Sequence, residues 1–121
     1  MKNKIRKFET GGTRDTDDGK YDYEAFLSPA VIEAYGAYMH LHRKQADGQM
    51  RDGDNWQKGF GDQHQSVCVK SLWRHFFDLW KIHRGHKVID KKDGHEVTLP
   101  ESCCAIMFNT MAILHNYLFK K

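Results

Sequence analysis

The sequence predicts an all-α fold: a three-helix, bundle-like protomer with a small β-hairpin insertion, completed by oligomerisation. Three observations carry that expectation. Apolar residues recur at helical spacing in three long segments. A short β-prone stretch centred on Asp93-Gly94 separates the last two. The final segment is apolar nearly all round, too apolar for a lone three-helix protein, so helices from further copies are expected to complete the core.

Taken in order, residues 1–25 are polar and glycine-bearing and are expected to form an extended N-terminal arm; 26–121 form the helical domain. Ser28-Pro29 is an N-cap followed by proline at the first helical position. Leu27, Val31, Ala34, Tyr35, Tyr38 and Leu41 recur at helical spacing, and the helix should run to about Gln45 and stop near Gly48. The stretch 47–63 is rich in glycine and aspartate and reads as a loop. A second helix is expected from about His64 to Arg84, with Gly85 as its stop. The hairpin insertion lies at about 87–98. Thr98-Leu-Pro-Glu101 is a capping-box pattern that starts a third helix over 100–119. One stripe of that helix, Ser102, Ala105, Asn109, Ala112 and Asn116, is small and polar.

At 121 residues the chain makes one domain. Its 40% hydrophobic and 29% charged content argues against disorder. A formal charge of +3 is too small to argue for polymeric nucleic acid, while phosphate on a small ligand suits it. No apolar run reaches the roughly 18 residues of a membrane span, and the N-terminus lacks the apolar region of a signal peptide. A cytoplasmic protein is the expectation. The three cysteines, Cys68, Cys103 and Cys104, form no paired metal or disulfide pattern and read as small buried hydrophobes.

The chemistry-bearing residues concentrate on the second helix. Ser71, Arg74, His75, Asp78 and Lys81 recur at spacings of three and four and share one stripe. A carboxylate one turn from an imidazole can orient it, move protons or hold a divalent metal. A guanidinium beside them suits phosphate. An ordinary solvated ion pair explains His75 and Asp78 alone; Arg74 and Ser71 favour a site. Leu72, Trp73, Phe76, Leu79 and Trp80 occupy the other side, which looks built for a core. Asn55, Trp56 and Lys58 offer a hydrogen-bonding amide, a ring and a cation: Trp56 either stacks on a base or staples its loop to the core. Asn109 either lines the pocket and reads a base or ribose, or hydrogen-bonds to a neighbouring helix or subunit. In the arm, Thr10, Arg14 and Lys20 surround a Gly-Gly pair that can form an anion nest, although no Walker A pattern is present.

Four segments, FETGGTRDTDDGKYDYEAFLSP (8–29), DNWQKG (54–59), SLWRHFFDLWKIHRG (71–85) and AIMFN (105–109), together resemble a phage-associated family. That family is named for the N-terminal domain of a dATP/dGTP diphosphohydrolase. The resemblance covers about 8–119. Its most specific parts are the arm, the NW-x-KG loop and the Arg-His helix. It matches Glu9, Thr10, Gly11, Arg14, Asp15, Lys20, Asn55, Trp56, Lys58, Gly59, Ser71, Arg74, His75, Asp90 and Asn109. It implies hydrolysis of deoxypurine nucleoside phosphates with a divalent metal such as Mg²⁺ or Mn²⁺, and host cytoplasm as the location if the chain is phage-encoded.

The chain departs where the family carries a histidine seven residues before the asparagine, a position that falls at Ser102. Glu101 or His95 would have to substitute. Two expectations follow. In one, His75, Asp78 and Asp90 hold a metal, and His75, Asp78 and Glu101 carry hydrolysis while Arg74 and Lys58 steady the phosphate. In the other, the protein needs no cofactor and sequesters a nucleotide-derived immune signal, such as a cyclic nucleotide or an ADP-ribose derivative.

Overall fold

The computed structural model describes residues 5–16 and 18–119. The chain is mostly helical with two small two-stranded sheets, and it divides into two compact units, Met1–Ile32 and Glu33–Lys121. Within the expected arm, β1 (Ile5–Lys7) pairs antiparallel with β2 (Thr13–Asp15), Arg6 opposite Arg14. Phe8 donates its N–H to the Gly12 carbonyl at 3.0 Å across the connecting turn. Gly11 sits there at φ 87°, a conformation that favours glycine. Residues 1–4 and 17 of the arm lie outside the described residues. A single-turn helix α1 (Tyr23–Phe26) follows, with the Asp22 carboxylate accepting the Ala25 N–H at 3.1 Å.

Helix α2 (Pro29–Leu41) opens as its cap predicts: Ser28 Oγ accepts the Val31 N–H at 3.3 Å. Its expected extension to Gln45 is corrected. After Leu41 the backbone turns to pair with residues 49–51 instead: Arg51 N donates to the Arg43 carbonyl at 2.7 Å, and Lys44 bridges Met50. The Arg43 guanidinium donates to the Arg51 carbonyl at 2.7 Å, and that of Arg51 to the His42 carbonyl at 2.9 Å, which locks the crossing.

Helices α3 (His64–His83) and α4 (Leu99–Phe119) form the main packing pair. They run antiparallel, His64 lying level with Ala112. The end of α3 is a complete Schellman motif: His86 N donates to the Lys81 carbonyl and Gly85 N to that of Ile82, with Gly85 at φ 85°. Between the helices, β3 (Val88–Ile89) pairs antiparallel with β4 (Glu96–Val97), inside the expected hairpin. Val88 and Val97 face each other in register and are buried. Thr98 Oγ1 then caps α4 by accepting the Glu101 N–H at 3.3 Å.

The seam between α3 and α4 overturns part of the expected facing of α3: of its expected core side only Leu72 and Leu79 turn inward. Its buried and half-buried positions are His64, Cys68, Ser71, Leu72, His75, Asp78, Leu79 and Ile82, whereas Trp73, Phe76, Phe77 and Trp80 are exposed. From α4, Ser102, Cys104, Ala105, Asn109 and Ala112 are buried. Small side chains there let the helices approach closely, and the larger Met111, Leu114, Leu118 and Phe119 stay exposed. The sequence expectation about span length is also corrected. At 21 residues, α4 is by length and composition long and apolar enough to cross a membrane. A core helix meets the same test, and the buried stripe of α4 packs on α3.

Candidate functional site

Two concavities open on the second unit, and they divide the sequence-predicted residues between them. The wider, about 700 Å³, lies along α3 and the hairpin. Arg74, His75, Asp78 and Lys81 reach it from α3, and Asp90, Lys91 and Lys92 from the hairpin turn. Trp73 and Phe77 form one wall, with Val88 and Val97 behind. Four cations thus stand against two carboxylates around one space. Lys81 Nζ sits 4.9 Å from the Phe77 ring centroid, a cation–π contact that holds the ammonium at the wall.

His75 is half-buried, and that burial pushes its pKa below the ordinary imidazole value. Arg74 and His42 push the same way, while Asp78 and Glu101 oppose them. His75 is therefore neutral near pH 7, the form that accepts a proton or binds a metal. Ser71 is half-buried on the α4 side of α3 and does not line this space.

The expected metal set His75, Asp78 and Asp90 shares the cavity, but among the described residues the carboxylate and imidazole atoms that converge belong to Asp90, Asp93 and His95, all within 4.8 Å. This O, O, N donor set fits a divalent ion in kind. Its atoms are already engaged: Asp90 accepts the Lys92 N–H at 2.8 Å, and Asp93 pairs with His95. Glu101 does not line the cavity. Its carboxylate accepts from His95 Nε2 at 2.9 and 3.1 Å, which clips the hairpin to the first turn of α4. Held by Glu101 and then Asp93, the His95 imidazolium has its pKa pushed up to about 9.

The second concavity, about 470 Å³, lies among the end of α2, the 51–60 loop and Phe108. Asn55, Trp56 and Lys58 line it with Tyr38, Arg43 and Arg51. Trp56 meets Phe108 and His115 edge-on, with centroids 6.4 and 4.8 Å away, so it staples the loop to α4 while one side faces the space. Burial, then Glu101, Cys104 and Tyr35, push the Tyr38 phenol up to about 12, so it stays a donor.

Asn109 lines neither space. It is buried in α4 with its amide donating to the Ala105 carbonyl at 2.8 Å. Thr10, Arg14 and Lys20 belong to the first unit: Thr10 in the hairpin turn, Arg14 in β2 and Lys20 in the following loop, all exposed. The cysteines are free; burial pushes the Cys68 and Cys104 thiols up, as small buried hydrophobes require.

Sequence reasoning missed Trp73 and Phe77 as cavity walls, Lys91 and Lys92 as cations, and His64, whose Nδ1 accepts the Phe60 N–H at 3.1 Å and so seats the 55–60 loop. The aromatic stripe of α3, at i, i+3, i+4 and i+7, was the available signal for the first pair. Comparisons with models of known protein families, with curated proteins and with solved structures give no match to this chain.

Proposed function

We propose that this protein binds a phosphorylated nucleotide in the cavity between α3 and the hairpin. One observation carries the reading: Arg74, His75 and Asp78 from α3 and Asp90, Lys91 and Lys92 from the hairpin, far apart in sequence, line a single space. Arg74 and the three lysines provide charge-assisted hydrogen bonds to phosphate. Trp73, with two thirds of its surface exposed at the rim, offers a ring face on which a base stacks. The resemblance to the dATP/dGTP diphosphohydrolase family supports a purine deoxynucleotide. Further copies of the chain complete the core, as the exposed apolar faces of α3 and α4 suggest.

Whether the nucleotide is cleaved separates two readings. The neutral His75 beside Asp78 favours metal-dependent phosphohydrolysis: Asp78 and Asp90 would hold a divalent ion such as Mg²⁺ or Mn²⁺, which would supply Lewis-acid polarisation of the phosphate, and His75 would accept a proton from water. Ser102 favours a non-catalytic sponge: it stands where the family's histidine would fall, is wholly buried, and brings no group to the cavity. In that case the ligand is a nucleotide-derived immune signal released intact.

The test is incubation with dATP, dGTP, cyclic dinucleotides and cyclic ADP-ribose forms, with and without Mg²⁺ or Mn²⁺. The small molecules are chromatographed before and after heat denaturation. Metal-dependent conversion of dATP or dGTP establishes the hydrolase. Depletion of one nucleotide that returns intact on heating establishes the sponge. No change in any nucleotide overturns both.

A further inference from the structure

The exposed face of α3 is symmetric about its own centre. Trp73, Phe76, Phe77 and Trp80 read W-x-x-F-F-x-x-W, the same in both directions. Their positions, i, i+3, i+4 and i+7, place them on one helical stripe. The rings repeat the symmetry in space. Trp73 meets Phe76 edge-on, with centroids 6.4 Å apart and planes at 86°; Phe77 meets Trp80 edge-on at 5.7 Å and 84°. Reversing the helix about the Phe76–Phe77 midpoint exchanges one pair with the other.

All four are open to solvent, at 67, 50, 48 and 47% exposure. With 150–250 Å² per aromatic side chain, they present about 400 Å² of apolar surface, close to half of the roughly 800 Å² that one partner buries in a standard interface. Val69 extends the patch, and the Lys81 ammonium and Arg84 guanidinium sit 4.9 and 5.7 Å from the Phe77 and Trp80 ring centroids at its edge.

We propose that this face docks a second copy of the same chain, α3 against α3 antiparallel, with the twofold axis passing between Phe76 and Phe77. An isologous interface requires a surface complementary to itself, and a reversible aromatic stripe meets that requirement where an arbitrary partner would not need it. In this arrangement Trp73 of one protomer lies beside the partner's Trp80, and Phe76 beside the partner's Phe77. Trp73 and Phe77 also wall the nucleotide cavity, so the partner's α3 stands at its rim and shields it from water. The proposal narrows the reading that further copies complete the core. It is tested without nucleotide, so its failure is separate from failure of the ligand assignment.

The experiment is light scattering coupled to size exclusion on the full chain, with circular dichroism to verify folding. The wild type is expected at the mass of two chains or an even multiple. Phe76→Glu alone should halve the mass with helicity retained. Phe76→Glu combined with Phe77→Lys in the same chain should restore it, because the antiparallel pairing sets Glu against Lys across the axis. A wild type that stays monomeric at every concentration overturns the proposal, as does a Phe76→Glu protein of unchanged mass. A double variant that remains monomeric overturns the antiparallel register.

Discussion

His64 ties the 55–60 loop to the core through Ala112. Its Nε2 donates to the Ala112 carbonyl of α4 at 2.9 Å, while its Nδ1 accepts the Phe60 N–H at 3.1 Å. One ring thus satisfies a helix carbonyl and a loop amide, which requires the neutral tautomer protonated at Nε2. His64→Ala removes both bonds at a buried position and should destabilise the protein by about 1–3 kcal/mol. Urea denaturation followed by circular dichroism measures this; a change below 0.5 kcal/mol, on the order of an ordinary surface substitution, would remove His64 from that role.

Gly59 follows in the same loop at φ 73° and ψ −175°, a region open essentially to glycine. A Cβ there would lie 3.4 Å from both Asn116 Oδ1 and His64 Nδ1. Gly59→Ala should therefore destabilise by about 1–3 kcal/mol. The melting temperature should fall, and an unshifted melt would show that the loop relaxes freely.

Ser102 is wholly buried and its hydroxyl has no hydrogen-bond partner among the described residues. Burying such a group opposes folding. Ser102→Ala, which keeps the small side chain against α3, should raise stability by roughly 1 kcal/mol. Thermal unfolding reads the gain, and a clear loss would mean that the hydroxyl is satisfied in solution.

His95 makes the hairpin–α4 clip sensitive to alkali. Its pKa is pushed up to about 9 by Glu101 and Asp93, from an ordinary 6.5. A raised folded-state value means that the unfolded chain releases the proton first. The stabilisation from this contact is complete below about pH 6.5 and is lost as pH rises towards 9. A histidine-resolved NMR titration should place His95 near 9, well above the ordinary imidazole value, and His95→Gln should flatten the alkaline decline in stability. His75 behaves oppositely. Its lowered pKa makes the folded state resist protonation, so stability falls as pH drops below 6.5.

Arg74 and Lys58 separate the two concavities. If phosphate is held between α3 and the hairpin, Arg74→Ala should weaken nucleotide binding by ~1.5–3 kcal/mol, roughly ten- to more than hundredfold. Lys58→Ala should leave affinity nearly unchanged. Isothermal titration of both variants decides; the reverse result would move the ligand to the Trp56 concavity.

Local chemistry determined the helices and most of their ends; the end of α2 at Leu41 was set instead by pairing with residues 49–51. Ser28, Thr98 and Gly85 act where capping rules place them, because a cap depends on neighbours within one turn. The hairpin at Asp93-Gly94 was legible for the same reason. So was the grouping of Arg74, His75 and Asp78, since helical spacing alone sets them one turn apart. Which side of α3 meets α4 was decided only by tertiary packing. Periodicity separates a polar stripe from an aromatic one but does not say which the partner helix covers. The small stripe of α4 takes up the side bearing Ser71, His75 and Asp78, and the four aromatic residues are left outside. The addition of Asp90, Lys91 and Lys92 to Arg74, and the assignment of Trp56 and Lys58 to a different space, likewise depend on how elements far apart in the chain come together.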